Sequence, residues 1–119
     1  MEIFKDEATQ NALRKLCDYC LDHNYKIAVA ESVTSGLLQL MLSCCPNAGL
    51  FFAGGITAYS CMQKFKQLGI SDSGCLASNG VSEKISENMA LHICKKFNSE
   101  LGLSITGFAS PIPEKGVRE

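Results

Sequence analysis

Lys26-Ile27-Ala28-Val29-Ala30-Glu31-Ser32-Val33-Thr34-Ser35-Gly36 is the stretch that decides the fold. Lys26 to Glu31 is short, apolar and rich in strand formers, so it reads as a buried strand. Hydroxyls and a glycine follow at once. Leu37, Leu38, Leu40, Met41 and Leu42 then fill an apolar helical run over Thr34 to Cys45, which Pro46 stops.

Outward from that stretch the same alternation continues. Upstream, Leu13, Leu16, Cys17, Cys20 and Leu21 recur at helical spacing, so Asp6 to His23 is expected as an amphipathic helix. Downstream, Gly49 to Tyr59 reads as a second strand, and Gly54-Gly55 in its middle marks a bulge or a close backbone approach. Ser60 is placed to cap a short helix through Leu68, ended by Gly69. Asp72 to Gly80 is polar and glycine-containing and reads as a loop. Ser82 caps a helix to about Asn98, with Ile85, Met89, Ala90, Ile93, Cys94 and Phe97 on its core face. Leu101 to Thr106 is a third strand, and the tail from Gly107 has no periodicity. Helices alternating with short apolar strands make the class α/β, expected as a layered αβα sandwich around a small mixed sheet.

Length and composition bound the answer further. One hundred and nineteen residues make a single domain, 1–119, large enough to bury a core without a metal or disulfide staple. Hydrophobic residues at 46% and charged residues at 19% exclude an intrinsically disordered chain. A net charge of −1 advertises no nucleic-acid partner. No apolar run approaches the ~20 residues of a membrane span, and the first seven residues lack a signal-peptide layout. A cytoplasmic protein is expected. Seven irregularly spaced cysteines are a poor disulfide framework. Cys17 and Cys20 form a C-x-x-C inside a helical pattern and read as two small apolar residues. His23 suits a helix C-terminus, His92 reads as helix surface, and neither matches a metal-ligand spacing. No metal and no cofactor are expected.

In α/β sheets, ligands bind beyond the C-terminal ends of the strands. There this chain places Glu31-Ser32-Val33-Thr34-Ser35-Gly36, then Thr57-Ala58-Tyr59-Ser60 with Lys64 one turn on, then Thr106-Gly107-Phe108-Ala109-Ser110-Pro111. Hydroxyls, a glycine and helix N–H groups at one corner suit an anion. Ser32 on a tight strand-to-helix turn follows the logic of a nucleophile elbow, although G-x-S-x-G is absent. Taken singly, Ser32 or Thr34 reads equally as a helix cap, Lys64 as a solvated lysine and Tyr59 as a core tyrosine.

The ordered set is more specific. Glu31 to Gly36 resembles the E-S-x-T-G-G signature of the CinA C-terminal domain family, the nicotinamide-mononucleotide deamidases. Gly54-Gly55-Ile56-Thr57-Ala58-Tyr59-Ser60 with Lys64 resembles that family's G-G-x-x-A-Y-S-x-x-x-K, and Leu68-Gly69-Ile70 its L-G-V. Asn79 to Glu83 is similar to G-A-V-S-E, and Thr106 to Pro111 to T-G-x-A-G-P. The likeness runs from about Ala8 to Lys115. It implies an amidohydrolase that converts nicotinamide mononucleotide to nicotinic acid mononucleotide and ammonia. By position, Ser32 is its nucleophile, Lys64 the base and Tyr59 a support for the pair. Glu31, Thr34, Ser35, Gly36, Gly55, Thr106 and Gly107 line the substrate, holding phosphate or oxyanion. A lysine acts as base only when neutral, which burial favours by desolvation.

Ser35 and Ser110 stand where the family has glycine. Family domains also continue past Pro113-Glu114-Lys115 into a further strand and a final helix, so relative to them this chain reads as C-terminally truncated. An open sheet edge there favours pairing, hence a homo-oligomer. The alternative class is a relative without turnover, a nucleotide-binding or interaction module.

Overall fold

The computed structural model describes residues 5–78 and 80–108. The elements are, in chain order, α1 (Glu7–His23), β1 (Ile27–Glu31), α2 (Leu37–Ser43), α3 (Ala48–Phe51), β2 (Phe52–Thr57), α4 (Cys61–Leu68), α5 (Asp72–Ala77), α6 (Glu83–Phe97) and β3 (Leu101–Ile105). The expectations for Asn79, Ser110, Pro111 and the tail lie outside the described residues.

The three strands form one sheet in the order β2-β1-β3. Both pairings are parallel, where a mixed sheet was expected. Parallel neighbours need a crossover, and helices supply it on both faces. Alternation along β1 sets the layers. Ile27 and Val29 face a cluster with Cys17, Cys20, Leu42 and Phe51, on the side of α1 to α3. Ala28 and Ala30 face Leu68, Ile70, Cys75, Ile85, Met89 and Ile93, on the side of α4 to α6. Every residue of β1 is buried, as a central strand covered on both faces requires.

Helix ends follow local chemistry. Asp6 caps α1 by accepting from the Thr9 N–H at 2.9 Å, and Asn24 closes it in the left-handed region. Ser60 and Ser82 cap α4 and α6, and Gly69 and Asn98 close them, as the sequence leads one to expect. The paired glycines of β2 serve different ends. The register slips between Ile27 and Ala28, which puts a bulge beside Gly54 at φ 123°. A Cβ on Gly55 would stand 2.4 Å from the Val29 carbonyl oxygen.

Three elements depart from expectation. The second strand starts only at Phe52, because Ala48–Phe51 first makes one helical turn. The second helix starts at Leu37, because Ser35 and Gly36 both take positive φ. The segment expected as a loop holds α5, capped by Ser71 and covalently tied to α4. That tie is a Cys61–Cys75 disulfide, which the irregular cysteine spacing did not lead one to expect. The C-x-x-C of α1 is two buried thiols, as expected. Burial, and then a hydrogen bond with Cys45, push the Cys17 thiol up to about 12.

Candidate active site

Ser32 is the first residue beyond β1, and its backbone is fixed by the sheet. Its N–H donates to the Ile105 carbonyl at 3.0 Å, and the Ala58 N–H donates to the Glu31 carbonyl at 2.8 Å. The three strand ends therefore meet at this residue. From the neighbouring strand end, α4 carries Lys64 back across the sheet rim. Lys64 Nζ donates to Ser32 Oγ at 2.9 Å and to the Tyr59 carbonyl oxygen at 2.8 Å. Ser32 is 3% exposed and Lys64 2%. Desolvation by burial pushes the Lys64 amine below the ordinary lysine range. Among the described residues both acceptors of Nζ are neutral oxygens, so no carboxylate among them counteracts that push.

Tyr59 touches both groups through its backbone carbonyl. Ser32 Oγ also lies 3.4 Å from the Tyr59 carbonyl, while the Tyr59 residue itself is 61% exposed at the rim.

Glu31 is fully buried, and its carboxylate is occupied by protein. Oε1 accepts from Thr34 Oγ1 at 2.5 Å and from the Leu38 N–H at 2.8 Å, and Oε2 accepts from the Gln39 N–H at 2.8 Å. Burial raises the Glu31 carboxyl, but the bonds from Thr34, Gln39 and Leu38 outweigh it, so the group lies below the usual carboxylate range. Glu31 thus replaces the side-chain cap that Gly36 cannot supply. It also takes two of the first N–H groups of α2, which the sequence assigned to an anion.

The other expected contacts divide. Gly107 lies beside Val33, since a Cβ on it would meet Val33 Cγ1 at 3.6 Å, so the turn after β3 borders the serine loop. Thr106 spends its hydroxyl on the Gly80 carbonyl at 2.8 Å. Gly55 packs on the Val29 carbonyl and Gln39. Gly36 faces the Thr57 hydroxyl, with a Cβ there 3.8 Å from Oγ1. Thr34 holds Glu31, and Ser35 adopts φ 52°.

Sequence reasoning missed the wall opposite Ser32. A Cβ on Gly80 would meet Lys64 Nζ at 3.3 Å. The only signal for it was that Gly80 falls in the matched segment Asn79 to Glu83. Among the described residues no cluster of His, Cys, Asp or Glu could hold a metal, and no helix is long and apolar enough to cross a membrane.

The CinA C-terminal domain family matches residues 9–118. A CinA-like protein of Trichodesmium erythraeum is 34% identical over 106 residues, covering 89% of this chain and 24% of that protein. A CinA-like protein of Gloeothece citriformis is 40% identical over 85 residues, covering 71% and 20%. The chain therefore spans about a quarter of the length of the curated relatives it matches. Among solved structures, the competence-damaged protein (CinA) superfamily protein from Escherichia coli superposes with a TM-score of 0.83 at 25% identity, covering 90% of this chain and 63% of that one. The superfamily protein from Enterobacter cloacae gives 0.82 at 28%, covering 88% and 63%. Matched along nearly its whole length and in its fold, the chain belongs to the CinA C-terminal domain family.

Proposed function

We propose that this chain is an amidohydrolase of the pyridine-nucleotide salvage type, deamidating nicotinamide mononucleotide with Ser32 as nucleophile and Lys64 as base. The observation that carries this reading is the 2.9 Å contact between two buried groups that lie 32 positions apart. A serine hydroxyl is a weak nucleophile until a neighbouring base takes its proton. With Nζ charged, the amine donates to Ser32. With Nζ neutral the same contact reverses, and the Ser32 O–H donates to Nζ. Attack of Oγ on the carboxamide carbon then forms a tetrahedral intermediate and passes the proton to Lys64. Lys64 returns that proton to the leaving nitrogen, the C–N bond breaks, ammonia departs and an ester on Ser32 remains. A water deprotonated by the neutral amine hydrolyses the ester to the acid and regenerates Ser32.

The same proposal includes a nucleotide substrate, taken from the family likeness, and a homo-oligomer in the cytoplasm, as expected from the sequence. A second reading, a nucleotide-binding module without turnover, is favoured by one observation: Glu31 occupies the α2 N–H groups that a phosphate would otherwise use. An ammonia-release assay with nicotinamide mononucleotide separates the two. The amidase predicts release by the parent chain and background rates for Ser32→Ala and Lys64→Ala. A parent chain that binds the nucleotide and releases no ammonia is the module.

A further inference from the structure

Gly80 is tied from several sides. Its N–H donates to the Cys75 carbonyl at 2.7 Å, and its carbonyl accepts from Thr106 Oγ1 at 2.8 Å. Its φ of +80° belongs to the region that favours glycine. A Cβ placed there would meet Lys64 Nζ at 3.3 Å and the sulfurs of Cys61 and Cys75 at 3.6 Å each. Gly80 is therefore a thin wall, with the Lys64 amine and the Cys61–Cys75 disulfide packed around one Cα. The disulfide joins the first residue of α4, one turn before Lys64, to α5. Cys75 is buried and Cys61 is half-buried, so an external thiol approaches through Cys61.

We propose that the Cys61–Cys75 disulfide is a redox modification site that latches the Gly80 wall over Lys64, closed when oxidised and open to water when reduced. The reductant is a dithiol. Its thiolate attacks Cys61 Sγ, the S–S bond breaks, and Cys75 leaves as a thiolate that takes a proton. The second thiol of the reductant then closes on the first, releasing Cys61 as a thiolate that is protonated in turn. The protein gains two electrons and two protons, and the dithiol becomes a disulfide. With the covalent tie gone, α5 and the Gly80 turn are held to α4 by packing, and the remaining hydrogen bonds of Gly80, to Cys75 and from Thr106, do not reach that helix. Water then reaches Nζ and favours the ammonium, which is useless as a base. Where cytosolic disulfides occur they are usually transient and regulatory, and this one borders a buried amine. The consequence for turnover rests on the amidase proposal; the latch itself does not.

The test is residue-resolved acylation of the full chain at about pH 10, where access rather than protonation governs exposed amines. Lys64 is compared with exposed Lys66 on the same helix by peptide mass spectrometry. In the oxidised chain Lys64 should label at least about tenfold more slowly than Lys66. After dithiothreitol, with alkylation confirming new thiols at Cys61 and Cys75, that gap should close by about tenfold. A Cys61→Ala/Cys75→Ala double variant should match the reduced chain with or without dithiothreitol. Equal protection of Lys64 in both redox states overturns the latch. So does a reduced chain that loses its helical circular dichroism, since the bridge is then a general staple. If ammonia release is absent in both states while Lys64 protection still switches, the amidase proposal fails and the latch stands.

Discussion

Lys64 Nζ and Ser32 Oγ stand 2.9 Å apart in the interior, and each owes its position to a different strand end. Ser32 is pinned by the β1 ladder, and Lys64 by a helix that starts four residues beyond β2. Desolvation keeps the amine below its ordinary range. Ammonia release should therefore rise with pH as Lys64 loses its proton, with a midpoint below the ~10.4 of a free lysine. A pH–rate profile of kcat checks this, and a flat profile across that range would exclude Lys64 as the base.

The same burial has a cost in stability. A lysine with a lowered folded pKa binds fewer protons folded than unfolded, so wild-type stability should climb as pH rises from the folded value towards ~10.4. Lys64→Met should abolish that climb and raise neutral-pH stability by about 1 kcal/mol, read from urea midpoints. Ser32 Oγ can then donate to the Tyr59 carbonyl, already 3.4 Å away.

Glu31 acts in the opposite direction. Its carboxyl is held low by three donors, so its stabilisation is present above the ordinary ~4.3 and is lost as pH falls through the lowered value. Glu31→Gln should cost about 2 kcal/mol at neutral pH and flatten the acid limb of the stability curve. Thermal melts at a series of pH values measure both.

Much of this was legible in the sequence, and the failures have physical causes. The ends of α4 and α6 were readable because a serine cap and a left-handed closing residue are local chemistry. The start of α2 was not. Its cap comes from Glu31, inside the preceding strand, and a spacing rule for N-caps does not look back that far. Lys64 reads as a surface lysine on any propensity scale, and only the family likeness marked it. Its burial depends on Gly80, sixteen positions on, which no periodicity links to it. The disulfide was invisible for the same reason, because pairing is a property of where α5 folds back. Thr106 was expected on substrate from the family likeness, and the donation of its hydroxyl to the Gly80 carbonyl is a further contact that no periodicity announces.

Glycine substitutions discriminate close approach from open space. Gly55→Ala would set a Cβ 2.4 Å from the Val29 carbonyl, and Gly102→Ala one 2.1 Å from the Ala90 carbonyl. Both meet backbone, and each should cost about 3 kcal/mol or more. Gly49 has nothing within 4 Å of a built Cβ, and in its helical turn Gly49→Ala should stabilise by up to ~1 kcal/mol. Chemical denaturation of the three variants side by side reads the contrast.

Thiol reactivity should follow burial as well. Cys17, pushed up to about 12, stays protonated at neutral pH, whereas Cys44 is exposed. Iodoacetamide at neutral pH should modify Cys44 well before Cys17, as peptide mapping over time will show.

The most direct measurement is rapid quench of the chain with nicotinamide mononucleotide, followed by intact-mass and peptide analysis of Ser32. An acyl adduct on Ser32 is expected in the parent chain and is expected to be absent from Ser32→Ala and from Lys64→Met. A parent chain that turns the nucleotide over with no adduct, or a Ser32→Ala variant that releases ammonia at the parent rate, would contradict Ser32 as the nucleophile.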